Sequence, residues 1–139
     1  MKKVLVTIGL SLCCAIVAYA QDAVLPPQIT ETDWCTIEVP ATAKIDQMVP
    51  VKFTLKKIDP GMKLAADLHG KTTVGKYIGM VKWGGAPKAA VSDQTVMFEI
   101  KVLAKPDLGS VHVSSYLSPT GEFKDRVKDA QSAEIKIVQ

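Results

Sequence analysis

His69 and His112 are the only histidines in this 139-residue chain, and they bound the acid–base chemistry it can perform near neutral pH. A nucleophilic hydrolase needs a Ser, Thr or Cys whose proton a His accepts, with an acid to orient the imidazole. No G-x-S-x-G elbow occurs. His112 alternates with Ser114 and Tyr116, which places it on the polar face of a strand as an exposed sheet residue. A glycosidase needs two carboxylates about 5 to 10 Å apart in a cleft. Asp67, Glu99, Glu122 and Asp125 qualify by type, but a small domain with short loops offers little cleft. The sequence therefore assigns no catalytic residue, and the chain reads as a non-enzyme.

Metal chemistry is tested the same way. Asp67 and His69 lie two apart, so a strand would project both from one face. Two ligands are too few for zinc, which takes four in structural sites and three plus water in catalytic ones. Met48, Met62, Met80 and Met97 supply the thioethers a periplasmic copper carrier would use, yet they are scattered. Asp67-x-His69 reads instead as a surface pair leading into a turn at Gly70, and neither a metal nor a cofactor is expected. Aromatic side chains give the stronger hint of a ligand. Sugar rings stack on Trp or Tyr while polar neighbours bond their hydroxyls. Trp83, next to the loop Gly84-Gly85-Ala86-Pro87, and Tyr77 are the candidate platforms; Asp67, His69, Asp125 and Arg126 are the candidate polar contacts. Packing of the aromatic rings in the core is the competing role.

The stretch Tyr116-Leu-Ser-Pro-Thr-Gly-Glu-Phe-Lys-Asp-Arg126 gathers charge around a Pro and a Gly. Ser118-Pro119-Thr120-Gly121 fits a type I turn position by position, with Gly121 taking a positive φ in a hairpin that folds Tyr116-Leu117 back on Glu122-Phe123. Phe123 and Val127 can then both face the core only if Asp125 faces inward on a strand or if the chain turns helically, and either way Asp125 can pair with Arg126 to hold the link to the last strand.

The elements that must position these residues follow from period-two alternation. Val49 to Leu55, Leu64 to Leu68, Val96 to Val102, Val111 to Leu117, Ala133 to Ile137 and the shorter Cys35 to Val39 each alternate apolar with polar residues. Lys76 to Trp83 is apolar on both sides, so its register is undecided. Asp59-Pro60-Gly61-Met62 has type II turn chemistry, and Gly70, Gly84-Gly85, Asp93 and Lys105-Pro106-Asp107 read as further breaks. The expectation is an all-β, antiparallel two-sheet sandwich of about seven strands.

Lys2-Lys3, the uncharged apolar run from Val4 to Val17 and Ala18-Tyr19-Ala20 spell a signal peptide over residues 1–20, cleaved before Gln21. The run is shorter than the roughly 20 residues needed to span a bilayer, and Leu12 before Cys13 argues against lipidation. The mature chain is expected to be secreted or periplasmic, with residues 21–33 an extended arm, residues 34–139 one domain, and no membrane span. Loss of Lys2 and Lys3 leaves 15 Lys and Arg against 14 Asp and Glu, so no basic surplus remains to bind nucleic acid. Cys13 and Cys14 leave too. Cys35 then has no partner for an internal disulfide and reads as a buried thiol.

The order of "TIEVPATAKIDQMVPVKFTL", a Pro-Gly turn, "KLAADLHG", "VMFEIKV" and "VHVSSYLSP" resembles the bacterial immunoglobulin-like and fibronectin III-like modules of secreted and cell-surface proteins, over about residues 34–138. The paired cysteines of antibody-type domains are missing, and Trp83 stands where it could replace a core tryptophan only late in the chain. The resemblance implies an immunoglobulin-like sandwich whose habit is binding or spacing. The expected function is a binding or structural module with a carbohydrate or protein partner; a small copper carrier is the alternative and a small secreted hydrolase the weaker one.

Overall fold

The computed structural model describes residues 24–139, so the expected signal peptide and its cleavage point lie outside the described residues. The strands in chain order are β1 (Gln28–Glu31), β2 (Cys35–Val39), β3 (Thr42–Lys44), β4 (Met48–Leu55), β5 (Lys63–Thr72), β6 (Tyr77–Trp83), β7 (Lys88–Ala89), β8 (Thr95–Lys101), β9 (Leu108–Ser118), β10 (Lys128–Gln131) and β11 (Ile135–Val138). The described residues thus form eleven strands rather than about seven. The surplus comes from short elements: the arm contributes β1, the Pro40-Ala41 break splits off β3, and β7 and β10 pair with stretches of long strands that their neighbours leave free.

Two sheets form a sandwich-like all-β fold. The first has the order β1-β2-β4-β8; the second runs β3-β11-β9-β5-β6, with β10 also on β9 and β7 also on β5. All pairings are antiparallel except β3 with β11. Alternation buries Val49, Val51, Phe53 and Leu55 of β4 against Val96, Phe98 and Ile100 of β8, and Phe53 meets Phe98 edge to face at 5.9 Å. Leu64, Ala66 and Leu68 of β5 and Val111, Val113 and Leu117 of β9 face them from the second sheet. Ser115 shares that inner face; its hydroxyl donates to the Ala130 carbonyl at 3.0 Å, which satisfies it there. Cys35 is fully buried, and burial pushes its thiol above the ordinary range.

Gly70 is not a turn. It lies inside β5, where an added Cβ would meet Leu108 Cδ1 and Val81 Cγ1, each at 2.8 Å, and Ile78 Cδ1 at 3.2 Å. The reason is the pairing of β5 with β6, which shifts register between Leu68 and His69 and again between Gly70 and Lys71. Leu68 pairs with Lys82 but His69 with Met80; Gly70 pairs with Gly79 but Lys71 with Tyr77. Val81 and Ile78 are thus the extra residues of two β-bulges, and both turn inward over Gly70. Gly79, at φ +80°, supplies a backbone that L side chains rarely adopt. The loop after β9 also departs from expectation. The return strand begins at Lys128 opposite Leu117, not at Glu122, and the intervening chain makes one 3₁₀ turn at Phe123–Asp125. Neither Phe123 nor Val127 reaches the core; both are more than half exposed.

Gly70→Ala is expected to cost about 1–3 kcal/mol through overpacking, and Gly79→Ala about 1–2 kcal/mol through its left-handed backbone. Urea midpoints at unchanged slope measure both. A Gly70→Ala protein as stable as the parent would contradict the inward packing of Val81 and Ile78.

Candidate functional site

The outer face of the second sheet is where the candidate residues meet. Asp67 and His69 project outward from β5 and Ser114 and His112 from β9, in register as Asp67 with Ser114 and His69 with His112. The two bulges bring Trp83 opposite Asp67, Met80 opposite His69 and Tyr77 opposite Lys71, so residues three apart on β6 match residues two apart on β5. The loop after β9 raises Phe123 and Arg126 along the other side. The result is a groove of about 930 Å³ with β5 and β9 as its floor.

Two rows of rings cross this floor. In one, Trp83 lies 6.5 Å from Tyr116, Tyr116 meets Phe123 edge to face at 5.4 Å, and the Arg126 guanidinium sits 4.0 Å above the Phe123 ring. In the other, Tyr77 stacks on His69 at 5.8 Å and His69 lies 5.7 Å from His112. Tyr116 is anchored by its hydroxyl, which donates to the Gly121 carbonyl at 3.1 Å. Trp83 is 36% exposed and Tyr77 56%, so both present ring surface to the groove, whereas Tyr116 is buried.

Asp67 lies between the rows. His69 Nδ1 and the Tyr77 hydroxyl share a hydrogen bond, and His69 Nε2 approaches Asp67 Oδ1 at 3.0 Å. That approach lacks hydrogen-bond alignment, so Oδ1 is a buried acceptor without a donor. Burial pushes the Asp67 carboxyl above the usual carboxylate range, with the His69 charge pulling the other way. Burial also holds His112 below the ordinary imidazole value, reinforced by His69 and Lys71 and opposed by Glu134. His112 is only 7% exposed, which corrects its reading as an open sheet residue. At this end Lys71 forms an ion pair with Glu134, whose other oxygen accepts from Ser110 Oγ at 3.3 Å. Lys71 and Glu134 also line a second hollow of about 860 Å³, so their pair forms part of the divide between the two.

Five of the six candidate residues, Trp83, Tyr77, Asp67, His69 and Arg126, line one groove. Asp125 does not. Its carboxylate accepts from Thr120 Oγ1 at 2.6 Å and ties the loop to itself. The expected Asp125–Arg126 pair is also replaced: Arg126 stacks on Phe123, donates from Nη1 to the Phe123 carbonyl at 3.2 Å and approaches Asp129 at 3.7 Å. The core tryptophan is Trp34, 2% exposed, whose indole N–H donates to the Asp129 carbonyl at 3.2 Å; Trp83 belongs to the groove. Lys71, Asp129 and Glu134 went unnoticed because nothing in their local sequence marks them; only the cross-strand pairing of β5, β9 and β10 brings them to the rim.

The lining carries three carboxylates, Asp67, Asp129 and Glu134, against two permanently cationic side chains, Lys71 and Arg126. With both imidazoles neutral the groove bears one net negative charge. Among the described residues no three His, Cys, Asp or Glu side chains converge as a metal site, and no helix is long and apolar enough to cross a membrane. No protein-family model matches the chain, and no curated protein matches it at a significant level.

The two perturbed groups act on stability in opposite directions. An Asp whose folded pKa is raised binds its proton more readily folded than unfolded, so at neutral pH the ionised form destabilises the fold, and the burden lifts as pH falls toward the folded pKa. Asp67→Asn should therefore raise the melting temperature at pH 7, with the gain shrinking in acid. His112, lowered, is protonated first in the unfolded chain as pH falls through about 6.5. Its contribution is present above that pH and lost below it, so His112→Gln should flatten the stability profile between about pH 7 and 5. Thermal melts across pH check both; an Asp67→Asn protein that melts lower at pH 7 would show the carboxylate to be structural.

Proposed function

We propose that the chain is a secreted or periplasmic, non-catalytic module of immunoglobulin-like topology that binds carbohydrate through the groove on its second sheet. The observation that carries this reading is the row Trp83–Tyr116–Phe123 beside polar side chains that can bond hydroxyls, including Asp67, Ser114 and Gln131. Stacking on the exposed rings of Trp83 and Phe123, with buried Tyr116 packed between them, gives affinity without selecting one sugar, and the polar floor gives orientation. The topology reading is supported by the strand order. The first long strand is split between sheets, so that β2, β4 and β8 form one layer, β9, β5 and β6 the other, and β3 runs parallel to the last strand. Secretion rests on Lys2-Lys3, the apolar run and Ala18-Tyr19-Ala20. A non-catalytic role is supported by the surroundings of His69, whose ring nitrogens face Tyr77 and Asp67 rather than a Ser or Cys.

Trp83→Ala should weaken binding to any glycan found on an array by about tenfold or more, the loss of one stacked ring, while leaving the melting temperature near the parent's. Unchanged binding in this variant removes the groove from the reading, and retention of a protein but no glycan from a cell-surface extract replaces carbohydrate with a protein partner.

A copper carrier is the second reading, and one observation favours it. His112, His69 and Met80 stand in a row across β9, β5 and β6, two imidazoles and a thioether of the kind that suits Cu(I). Against it, both His69 nitrogens already face protein groups. Competition with a Cu(I) chelator decides: retention of copper lost in Met80→Leu supports a carrier, and an affinity no tighter than about millimolar removes it.

A further inference from the structure

Within the carbohydrate reading, and resting on it, we infer that the groove selects sugars carrying a free amine, with the ammonium held by Asp67 beside the exposed ring of Trp83. Two features of the site lead there. Asp67 Oδ1 is closed off behind His69 Nε2 at 3.0 Å without an aligned hydrogen bond, while the side chain keeps 14% exposure, so the carboxylate is short of donors and can still be reached from the groove. Asp67 is also the only carboxylate of the groove without a Lys or Arg beside it among the described residues, its one titratable partner being His69: Lys71 is paired with Glu134, and Arg126 approaches Asp129. With both imidazoles neutral and Asp67 ionised, the lining as a whole carries one net negative charge, at Asp67.

The aromatic neighbours add to this. Asp67 pairs across the strand with Trp83 and stands diagonal to Tyr116, and its charge is close enough to reinforce the burial that raises the Tyr116 hydroxyl above its ordinary value. A ring face is negative at its centre and attracts a cation, best at Trp. An ammonium between the carboxylate and Trp83 makes both contacts, and the exposed indole stacks the sugar that bears it. A neutral acetamide at that position donates one N–H to the carboxylate but leaves the charge uncompensated. A sugar hydroxyl does the same. The row of rings beyond Tyr116, capped by the cation Arg126 on Phe123, is already positively occupied, so the amine belongs at the Asp67 end, beside Trp83.

Isothermal titration of the protein with a tetramer of glucosamine, its fully N-acetylated counterpart and a glucose tetramer tests the inference without any variant. The glucosamine tetramer should bind about tenfold or more tighter than the other two, since hydrogen bonds to a charged group are the strong ones. Asp67→Asn, folded by circular dichroism, should erase that preference while keeping the weak binding common to all three. Equal affinity for the three tetramers overturns amine selection and leaves the carbohydrate reading standing. Binding of none of them overturns the carbohydrate reading itself, and a lysine-rich peptide bound in their place would show that the amine belongs to a protein rather than to a sugar.

Discussion

Pairing of β5 with β6 imposes the constraint on which the rest of this molecule turns. Along β5 the outward residues Asp67, His69 and Lys71 recur every second position, as the pleat requires. Along β6 their partners Trp83, Met80 and Tyr77 recur every third. The two spacings can be reconciled only by inserting an extra residue between each pair of partners, and Val81 and Ile78 are those residues. Both turn to the interior, where they need room, and Gly70 provides it. One glycine without a side chain in β5 and one with a left-handed backbone in β6 therefore set two aromatic side chains and a thioether on the face of the sheet. Bulges also twist an edge strand away from flat pairing, and β6 is an edge of its sheet, so the same device guards against pairing with another chain.

The second structural requirement is a wall opposite β6. The loop after β9 provides it through its own hydrogen bonds rather than through core packing. Tyr116 donates to Gly121, the Gly121 N–H donates to Ser118 Oγ at 2.6 Å, Thr120 donates to Asp125, and the Val127 N–H returns to the Leu117 carbonyl at 2.8 Å. Held this way, the loop presents Phe123 with Arg126 stacked upon it, an exposed pair whose fixed position depends on Asp125. Asp125 acts on the groove only through the loop that it ties.

The parts of this arrangement that could be read from sequence are those governed by a single period. Val49 to Leu55 and Val96 to Val102 bury one face each and expose the other, and their pairing across the first sheet follows from that alone. Cys35 is buried for the same reason. Residues 76–83 resisted reading because two bulges replace the period of two by one of three, and a run apolar on both sides hides the change. Gly70 looked like a turn because a glycine marks turns more often than it marks a crowded interior. His112 looked exposed because alternation reports which face a residue occupies, not what covers that face; here the His69 ring and the Lys71–Glu134 pair lie close against it. Long-range pairing, absent from any local window, decided each of these cases.

The two outer faces show why the site belongs to one sheet only. The first sheet presents Thr36, Glu38, Lys52 and Thr54 as cross-strand pairs, with Lys52 and Glu38 at 3.3 Å, and these charges compensate each other at a flat, solvated surface where an ion pair is worth little. On the second sheet the rims of β6 and the β9 loop lower the exposure of the floor between them, and a carboxylate placed there loses hydration that no protein donor restores. A sequence selected for stability alone would fill the position of Asp67 with a neutral or apolar residue, as Ala65 fills the neighbouring outward position beneath Tyr116. A carboxylate with no Lys or Arg beside it at the centre of a ring-lined groove, where burial works against its ionised form, is what distinguishes this outer face from that of the first sheet.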